Sequence, residues 1–407
     1  MLRSVVMTDT AAGSVDVRGV VDWLVSGAMG GGANDVVVQL GERLVASGVR
    51  VTRMAAFVRT LHPFILGRRI VWRRGVATAD VTQAPFSITS APEYLESPSG
   101  YVSSSGREGR WRLEGDEPLP YPALEEQRAA GTTDYLALPL VFLSGQRHAI
   151  IYSTDVRGGF TDEEISALRE VTGPLARVAE IFALTRTAEN LLDAYVGHHA
   201  GQSILAGRVR RGETEMIRCV IWFSDLRGFT NLSADLDPAA TVELLNRLFD
   251  CQVPAVERNG GEVLKFIGDG MLAIFPVDET NAREVVARAL AAAREAFAAL
   301  DPWNRERAAA GKVTVRFGLA LHLGDVGYGN IGGAARLDFT AIGSAVNLAS
   351  RVEGLTSKLG KRLLLTQAVA DLAEARTRSL GAFEVKGVSA APVVYELVEG
   401  WSVPPGA

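Results

Sequence analysis

The sequence predicts an α/β (α+β) protein of two domains joined by a helical linker. At 407 residues the chain is longer than one typical domain. Strand-type and helix-type hydrophobic patterns alternate in both halves, and they become sharper after Met216. We therefore expect a first domain over 1–184, a helical linker over 185–214 and a second domain over 215–400.

Composition and charge exclude several classes of protein. Hydrophobic residues make up 47% of the chain and charged residues 22%, which is ordinary for a globular protein with a sizeable core. The net charge of −5 and the pI of about 5.7 give no overall basic field for nucleic acid or an anionic membrane. The longest apolar runs, such as "YLALPLVFL" (135–143), are shorter than the roughly 20 residues that span a bilayer. With no export signal recognised after Met1, we expect a cytoplasmic protein with neither a membrane nor a nucleic-acid partner.

Two short features of the sequence are not expected to be functional sites. Cys219 and Cys251 lack metal-ligand spacing and lie in strongly patterned segments, so we expect buried free thiols in a reducing compartment. The triple glycine at 30–32 is not followed by "GK[ST]", which argues against a P-loop ATPase.

The first domain combines helices with a group of strands. "NDVVVQLGERLVASG" (34–48) has helical spacing and a closing glycine, and "VRVTRMAAFV" (49–58) alternates like a strand. "DYLALPLVF" and "HAIIYST" flank a glycine-containing turn as two strands. A long amphipathic helix follows, with Thr161 and Glu164 as its capping box.

This order of two strands, a turn and a long exit helix resembles the end of a GAF-type sensor domain, over about 16–185. The resemblance implies a pocket for an unknown small-molecule or protein regulator. A dimerisation scaffold is an equally weighted alternative, because no residue in this domain identifies a ligand.

The second domain begins with a buried strand that ends on an acidic residue. Val220 to Phe223 run into Asp225 and then into a turn at Gly228. The segments that follow predict a helix over 238–261, a hairpin at Gly268-Asp269-Gly270, a helix in "NAREVVARALAAAREAFAAL", the strand "VTVRFGLALHLG", a glycine-rich loop and a helix from "GSAVNLASRVEGL". Helices packed against one sheet are therefore expected.

Asp225 and Asp269 both lie at strand ends in this arrangement. Two carboxylates at one sheet edge suit hard cations such as Mg²⁺ or Mn²⁺, which prefer oxygen ligands. Together with the turn "RGFT", whose backbone N–H groups would face a phosphate, they predict metal-assisted phosphoryl chemistry.

Four motifs resemble the catalytic domain of class III adenylate/guanylate cyclases over about 215–400. They are "FSDLRGFT", "KFIGDG", "GDVGYGNIG" and "FTAIGSAVNLASRVE", in the family's order and approximate spacing. The resemblance implies a ferredoxin-like fold and conversion of a nucleoside triphosphate to its 3′,5′-cyclic monophosphate and pyrophosphate. It also implies a head-to-tail homodimer with active sites at its interface.

The family's metal and phosphate positions are present in this sequence. Asp225 and Asp269 match the pair that holds two Mg²⁺ or Mn²⁺ ions, with the Leu226 carbonyl as a further ligand. The resemblance places Gly228, Phe229 and Thr230 at the substrate phosphates.

Two residues match the positions that read the purine ring, namely Lys265 and Thr340. The second position is counted back from "AIG", which selects Thr340 and not the nearby Asp338. Lysine with threonine resembles the adenine-selective subgroup, whereas guanine-selective relatives carry Glu and Cys there. ATP is therefore the expected substrate, with some side activity on GTP left open.

Asn347 and Arg351 match the pair that stabilises the transition state, one helical turn apart. Lys386 in "FEVKGV" matches a lysine that contacts the triphosphate. No protein general base stands out in the sequence.

The resemblance divides these residues between two chains of a homodimer. One chain would supply the metal pair, and its partner would supply Lys265, Thr340, Asn347, Arg351 and Lys386. Two alternatives remain open: a non-catalytic protein that keeps the fold to bind nucleotide or a partner, and a guanylate cyclase.

Overall fold

The computed structural model describes residues 15–27, 31–234, 236–278, 280–388 and 390–398. The chain divides into two compact units, Met1–Ala194 and Tyr195–Ala407. The expectations about the N-terminal 1–14 segment and about Gly30 of the triple glycine lie outside the described residues. The domain limits expected from the sequence remain predictions.

The first unit contains a mixture of long and short elements. They are α1 (Arg18–Ser26), α2 (Ala33–Ala46), β1 (Arg53–Arg59), β2 (Ile65–Arg73), β3 (Asp80–Pro85), a 3₁₀ helix (Phe86–Ser90), α3 (Pro92–Leu95), α4 (Pro98–Ser105), β4 (Gly109–Arg112), α5 (Pro122–Ala129), β5 (Asp134–Val141), β6 (Arg147–Thr154) and α6 (Asp162–Val196).

The strands of this unit form a six-stranded antiparallel sheet in the order β3-β2-β1-β6-β5-β4. Side chains alternate between its two faces, as the period of a strand requires. One face packs against α1, α2 and α6 through residues such as Met54, Leu40 and Leu168. The other face carries a smaller apolar cluster that includes Ala55 and Ile151.

The start of α6 confirms the predicted capping box. The Glu164 carboxylate accepts the Thr161 N–H at 2.8 Å, and the Thr161 hydroxyl accepts the Glu164 N–H at 3.2 Å. The same carboxylate accepts the Arg50 N–H at 2.8 Å. The strand expected to begin at residue 49 begins only at Arg53.

The second unit contains a larger sheet with helices on both faces. Its elements are α7 (His198–Leu205), β7 (Thr214–Leu226), α8 (Phe229–Ala234), α9 (Pro238–Arg258), β8 (Glu262–Ile267), β9 (Gly270–Val277), α10 (Ala282–Ala309), β10 (Phe317–Gly332), β11 (Leu337–Ile342), α11 (Ser344–Lys358), β12 (Leu363–Thr366), α12 (Gln367–Ala370), β13 (Thr377–Ala382) and β14 (Val393–Leu397).

Strand β7 lies inside an eight-stranded sheet of order β13-β14-β12-β10-β7-β9-β8, with β11 paired to β10. Val220 and Trp222 face a core formed with α9 and α10. Cys219 and Ile221 face the opposite cluster, which includes Ala345 of α11 and side chains of α7. This alternation buries the strand on both sides and fixes the position of its end.

One expectation about this unit is wrong. The segment "GDVGYGNIG" is not a loop, because β10 continues through it to Gly332 and pairs with β7 and β11. Its glycines serve close strand packing: a Cβ on Gly329, whose φ is +150°, would lie 2.2 Å from the Glu213 carbonyl oxygen. A high glycine content is typical of loops, but here it allows two strands to lie close together.

The expectation for the cysteines is confirmed, since Cys219 and Cys251 are both buried free thiols. No helix in the described part of the chain is long and apolar enough to cross a membrane.

Candidate active site

Asp225 sits near the end of β7, where the buried strand reaches the edge of the core. Its carboxyl is half-buried, and Ser224 beside it is fully buried. Burial, and after it the neighbouring Asp269 carboxylate, raises the pKa of Asp225 to about 6. Two acidic groups that repel each other in this way create a strong preference for a cation between or beside them.

Asp269 reaches Asp225 because of the tight hairpin between β8 and β9. Ile267 pairs with Gly270, so Gly268 and Asp269 form the two-residue turn that the sequence predicts. A Cβ on Gly270 would lie 3.1 Å from the Asp225 Oδ1 atom, which shows how closely the hairpin approaches the end of β7. The structure therefore brings the two predicted metal-ligand carboxylates together within one chain.

A third acidic residue near this pair was missed in the sequence analysis. Glu353 lies on α11, is 7% exposed, and has its pKa raised to about 7 by burial and then by Asp225. Arg227 lies on the same side and favours the charged form of Glu353. The signal was available, because Glu353 ends the quoted motif "FTAIGSAVNLASRVE". A buried carboxyl inside a charged motif is a candidate for a role at the site.

The residues after Asp225 turn directly into a short helix. Gly228 has φ +65° and precedes α8, which contains Phe229 and Thr230. The first N–H groups of a helix have no acceptor within that helix. This geometry is compatible with the expected phosphate contact of Gly228, Phe229 and Thr230, which stays a prediction.

The expected base-reading residues have different surroundings. The Lys265 ammonium group forms an ion pair with the Asp338 carboxylate of β11. Thr340, on the same strand, is 4% exposed, and its buried hydroxyl has no hydrogen-bond partner among the described residues. Within one chain, Asp338 therefore engages the lysine, while the Thr340 hydroxyl retains its hydrogen-bonding capacity.

Asn347, Arg351 and Lys386 are exposed. The helix α11 buries Ala345, Ala349 and other small side chains against the sheet, which leaves Asn347 and Arg351 facing outward. Lys386 lies in the turn after β13. The structure thus brings Asp225 and Asp269 together, whereas Asn347, Arg351 and Lys386 are exposed and lie apart from them within one chain.

The residues around Asp225 and Asp269 fit a divalent cation in their donor chemistry. Hard cations prefer carboxylate oxygens, and Mg²⁺ is usually held by one or two carboxylates together with substrate phosphates. Among the described residues no group of three or more His, Cys, Asp or Glu side chains is arranged to hold a metal ion. The two carboxylates supply the share of ligands expected from the protein at a metal site that a bound phosphate compound completes.

Comparison with known proteins finds a family model that matches part of this unit. Residues 213–399 match the model described as the adenylate and guanylate cyclase catalytic domain. The match covers less than half of the chain and lies within the second unit.

Two curated relatives and a solved structure are similar to part of this chain. The adenylate cyclase of Anabaena cylindrica is 35% identical over 195 residues, which cover 46% of this chain and 38% of that protein. Adenylate cyclase 1 of Rhizobium meliloti is 32% identical over 180 residues, or 43% of this chain and 27% of the relative. The crystal structure of the adenylyl cyclase CyaB from P. aeruginosa is 28% identical, with a TM-score of 0.40 over 46% of this chain and 96% of that one. The chain thus spans well under half of each curated relative.

Proposed function

We propose that this protein is an adenylate cyclase that converts ATP to 3′,5′-cyclic AMP and pyrophosphate. The observation that carries the proposal is the convergence of Asp225 and Asp269 at the end of β7, inside the segment that matches the catalytic-domain family. The two curated relatives described above, both named adenylate cyclases, support the choice of reaction.

The choice of ATP over GTP rests on Lys265 and Thr340. A lysine donor bonds the N1 acceptor of adenine, whereas guanine presents an N–H at that position. The unpartnered Thr340 hydroxyl supplies a second polar group in a buried position. A mismatched base would leave buried polar groups unpaired, and this cost is the physical source of selectivity.

In the reaction, the ribose 3′-oxygen forms a bond to the α-phosphorus while the bond from that phosphorus to the pyrophosphate oxygen breaks. Asp225 and Asp269, with the Leu226 carbonyl, would hold two Mg²⁺ or Mn²⁺ ions; when bound, these ions lower the pKa of the 3′-hydroxyl and neutralise phosphate charge. Asn347 orients the ribose, and Arg351 stabilises the negative charge that develops on the phosphates. Lys386 holds the triphosphate.

We infer that the site is assembled from two copies of the chain. The carboxylate pair comes from one copy, and Lys265, Thr340, Asn347, Arg351 and Lys386 come from the other. Exposed apolar side chains beside Lys265 and Thr340 support this arrangement, because such surfaces mark interaction sites. They include Phe266 at 51% exposure and Ile342 at 50%.

We propose a regulatory role for the first unit as a GAF-like sensor. Its antiparallel sheet carries long helices on one face and short helices on the other, and a cavity lies between this second face and the short helices. A site of this kind suits a small regulator.

Product analysis tests the proposed reaction. The purified chain is incubated with ATP or GTP and Mg²⁺ or Mn²⁺, and the products are separated against cyclic nucleotide standards. Cyclic AMP with pyrophosphate is the expected result. Formation of cyclic GMP alone would identify the protein as a guanylate cyclase. Absence of any cyclic product, with nucleotide still bound, would support the non-catalytic alternative.

A further inference from the structure

A half-buried arginine in the first unit lacks a carboxylate partner. The Arg53 side chain lies on β1, and its Nη1 atom is buried without a hydrogen-bond partner among the described residues. Burial lowers the pKa of Arg53, and the nearby Arg69 and Arg73 guanidinium groups also lower it. The Tyr135 phenol favours the charged form and accepts a hydrogen bond from the guanidinium, but no carboxylate is among the groups that shift the pKa. A partly buried cation without a counter-ion is costly for folding unless an anion pairs with it.

A second unpaired polar group lies next to Arg53 in the sheet. Ser153 of β6 is directly opposite Arg53 in the strand register and is fully buried, and its hydroxyl also lacks a partner. Tyr135 of β5 is opposite Ser153 and extends the same row. Directly opposed residues place their side chains on the same face of a sheet. The row therefore presents a guanidinium, a hydroxyl and a phenol side by side.

A cavity of about 350 Å³ opens beside this row, between the sheet and the short helices α3, α4 and α5. Its volume is at the small end of the range for ligand pockets, roughly 300–1,000 Å³. Alanines at Ala55 and Ala84 leave the space, since their side chains are too short to fill it. Phe57 and Tyr94 form an apolar wall with their rings 5.8 Å apart, edge to face.

The acidic side chains in the lining do not neutralise Arg53. Glu93 and Glu126 are both exposed, and neither is among the groups that shift the pKa of Arg53. Arg73 already has a partner, because it forms an ion pair with Asp80 at the surface. The positive charge that faces the cavity is therefore that of Arg53, reinforced by Arg69.

We propose that this cavity binds a small organic anion, with its carboxylate or phosphate on Arg53 and its apolar body against Phe57 and Tyr94. The anion supplies the counter-charge that Arg53, a residue of the cavity lining, lacks among its charged neighbours, in the charge-assisted geometry that guanidinium groups favour. This is the cavity proposed above for the regulator of the sensor unit, so the inference rests on that part of the proposed function and names its ligand class. It does not depend on the proposed reaction, because the cyclase residues lie in the second unit.

Calorimetric titration of the full chain tests the proposal with three probes of similar shape: benzoate, phenyl phosphate and the neutral benzamide. We expect at least one anion to bind and benzamide not to bind. Benzoate alone would identify a carboxylate ligand, and phenyl phosphate alone a phosphate ligand. Failure of both anions, or equal binding of benzamide, would overturn the proposal without any variant being needed.

The variant Arg53→Met assigns the binding to this cavity. It should weaken binding of the anion at least about tenfold, because a charge-assisted hydrogen bond is lost. The control is Arg73→Met, in the same row but exposed and already paired, and it should leave the affinity unchanged. The ligand-free Arg53→Met chain should unfold at about the same temperature as the wild type, since the variant loses the hydrogen bond to Tyr135 but also a partly buried charge without a counter-ion. Unchanged anion affinity in Arg53→Met would overturn the proposal.

Discussion

The Asp225 carboxyl makes the ligand-free second unit less stable as it ionises. Its pKa is raised from 3.8 to about 6, first by burial and then by Asp269. A raised pKa in an acid means that the folded state binds its proton more tightly than the unfolded state. The corresponding stability is present below about pH 4 and is lost as the pH rises through 6.

Replacing this carboxylate should therefore stabilise the metal-free fold while removing catalysis. Asp225→Asn is expected to raise the free energy of unfolding by about 1 kcal/mol above pH 6. This is less than the full pKa shift corresponds to, because the carboxyl is partly exposed to water, which screens its interactions. Thermal unfolding in the presence of a chelator measures this, and the difference should vanish near pH 4. The exposed Asp250→Asn variant is the control and should change neither stability nor turnover. A less stable Asp225→Asn protein at pH 8 would contradict the electrostatic account.

The ion pair between Lys265 and Asp338 gives a second prediction at the scale of single residues. Because Asp338 holds the ammonium group in place, Asp338→Asn should raise the KM for ATP several-fold with a smaller change in kcat. Stability should hardly change, since exposed ion pairs contribute about 0–1 kcal/mol.

The matched control for this pair is Asp325→Asn, which breaks the exposed pair with Arg218 on the neighbouring strands. It should leave both kinetic constants unchanged. If Asp338→Asn behaves in the same way, then Asp338 has no part in positioning Lys265.

At the scale of elements, the Glu164 carboxylate connects the start of α6 to the chain entering β1. It accepts hydrogen bonds from the Thr161 and Arg50 amides and from the Arg50 guanidinium. Burial alone would raise the pKa of Glu164, but these bonds together lower it below 4.5. The stability that they provide is present above this value and is lost as the pH falls through the folded-state pKa.

Glu164→Gln should therefore destabilise the first unit at pH 7 by about 2 kcal/mol, because a charged acceptor of several hydrogen bonds becomes neutral. Calorimetric unfolding and hydrogen exchange at the start of α6 measure the effect. The neighbouring exposed residue provides the control, Glu163→Gln, which should have no effect. Equal stability of the two variants at pH 7 would show that the capping interactions contribute little.

At the scale of the whole molecule, the proposed division of the site between two chains can be tested by complementation. Asp225→Ala removes one contribution and Arg351→Ala removes the other, so each homodimer should lack cyclase activity. Mixing the two chains creates heterodimers in which one of the two sites has all its residues. We expect partial recovery of cyclic AMP formation, up to about one quarter of the wild-type rate for random pairing of equal amounts of the two variants.

The control for this experiment is a mixture of Asp225→Ala with Asp269→Ala. Both substitutions affect the same side of the site, so every heterodimer site still lacks a residue and no recovery is expected. Recovery in the control mixture, or none in the test mixture despite demonstrated heterodimers, would contradict the shared site.

The sequence by itself was sufficient to predict most elements of the second unit. Local signals were sufficient there: the Asp-Gly turn fixed the β8–β9 hairpin, and the alternation around Val220 fixed the buried strand. In the first unit, the sequence pattern also predicted the capping box of Thr161 and Glu164 correctly. These features depend on neighbouring residues, so the sequence encodes them directly.

Only the tertiary structure decided which distant groups meet. It brought Asp225 against the hairpin of Asp269, placed Glu353 behind that pair and joined Lys265 to Asp338. It also left Arg53 without a carboxylate partner beside a cavity, which no periodicity in the sequence indicates. The physical reason is that burial and charge neighbours depend on strand register and on packing between remote segments. The hydrophobic periodicity of the sequence predicts which face of a strand or helix a residue occupies. The tertiary fold determines which residues pack against that face.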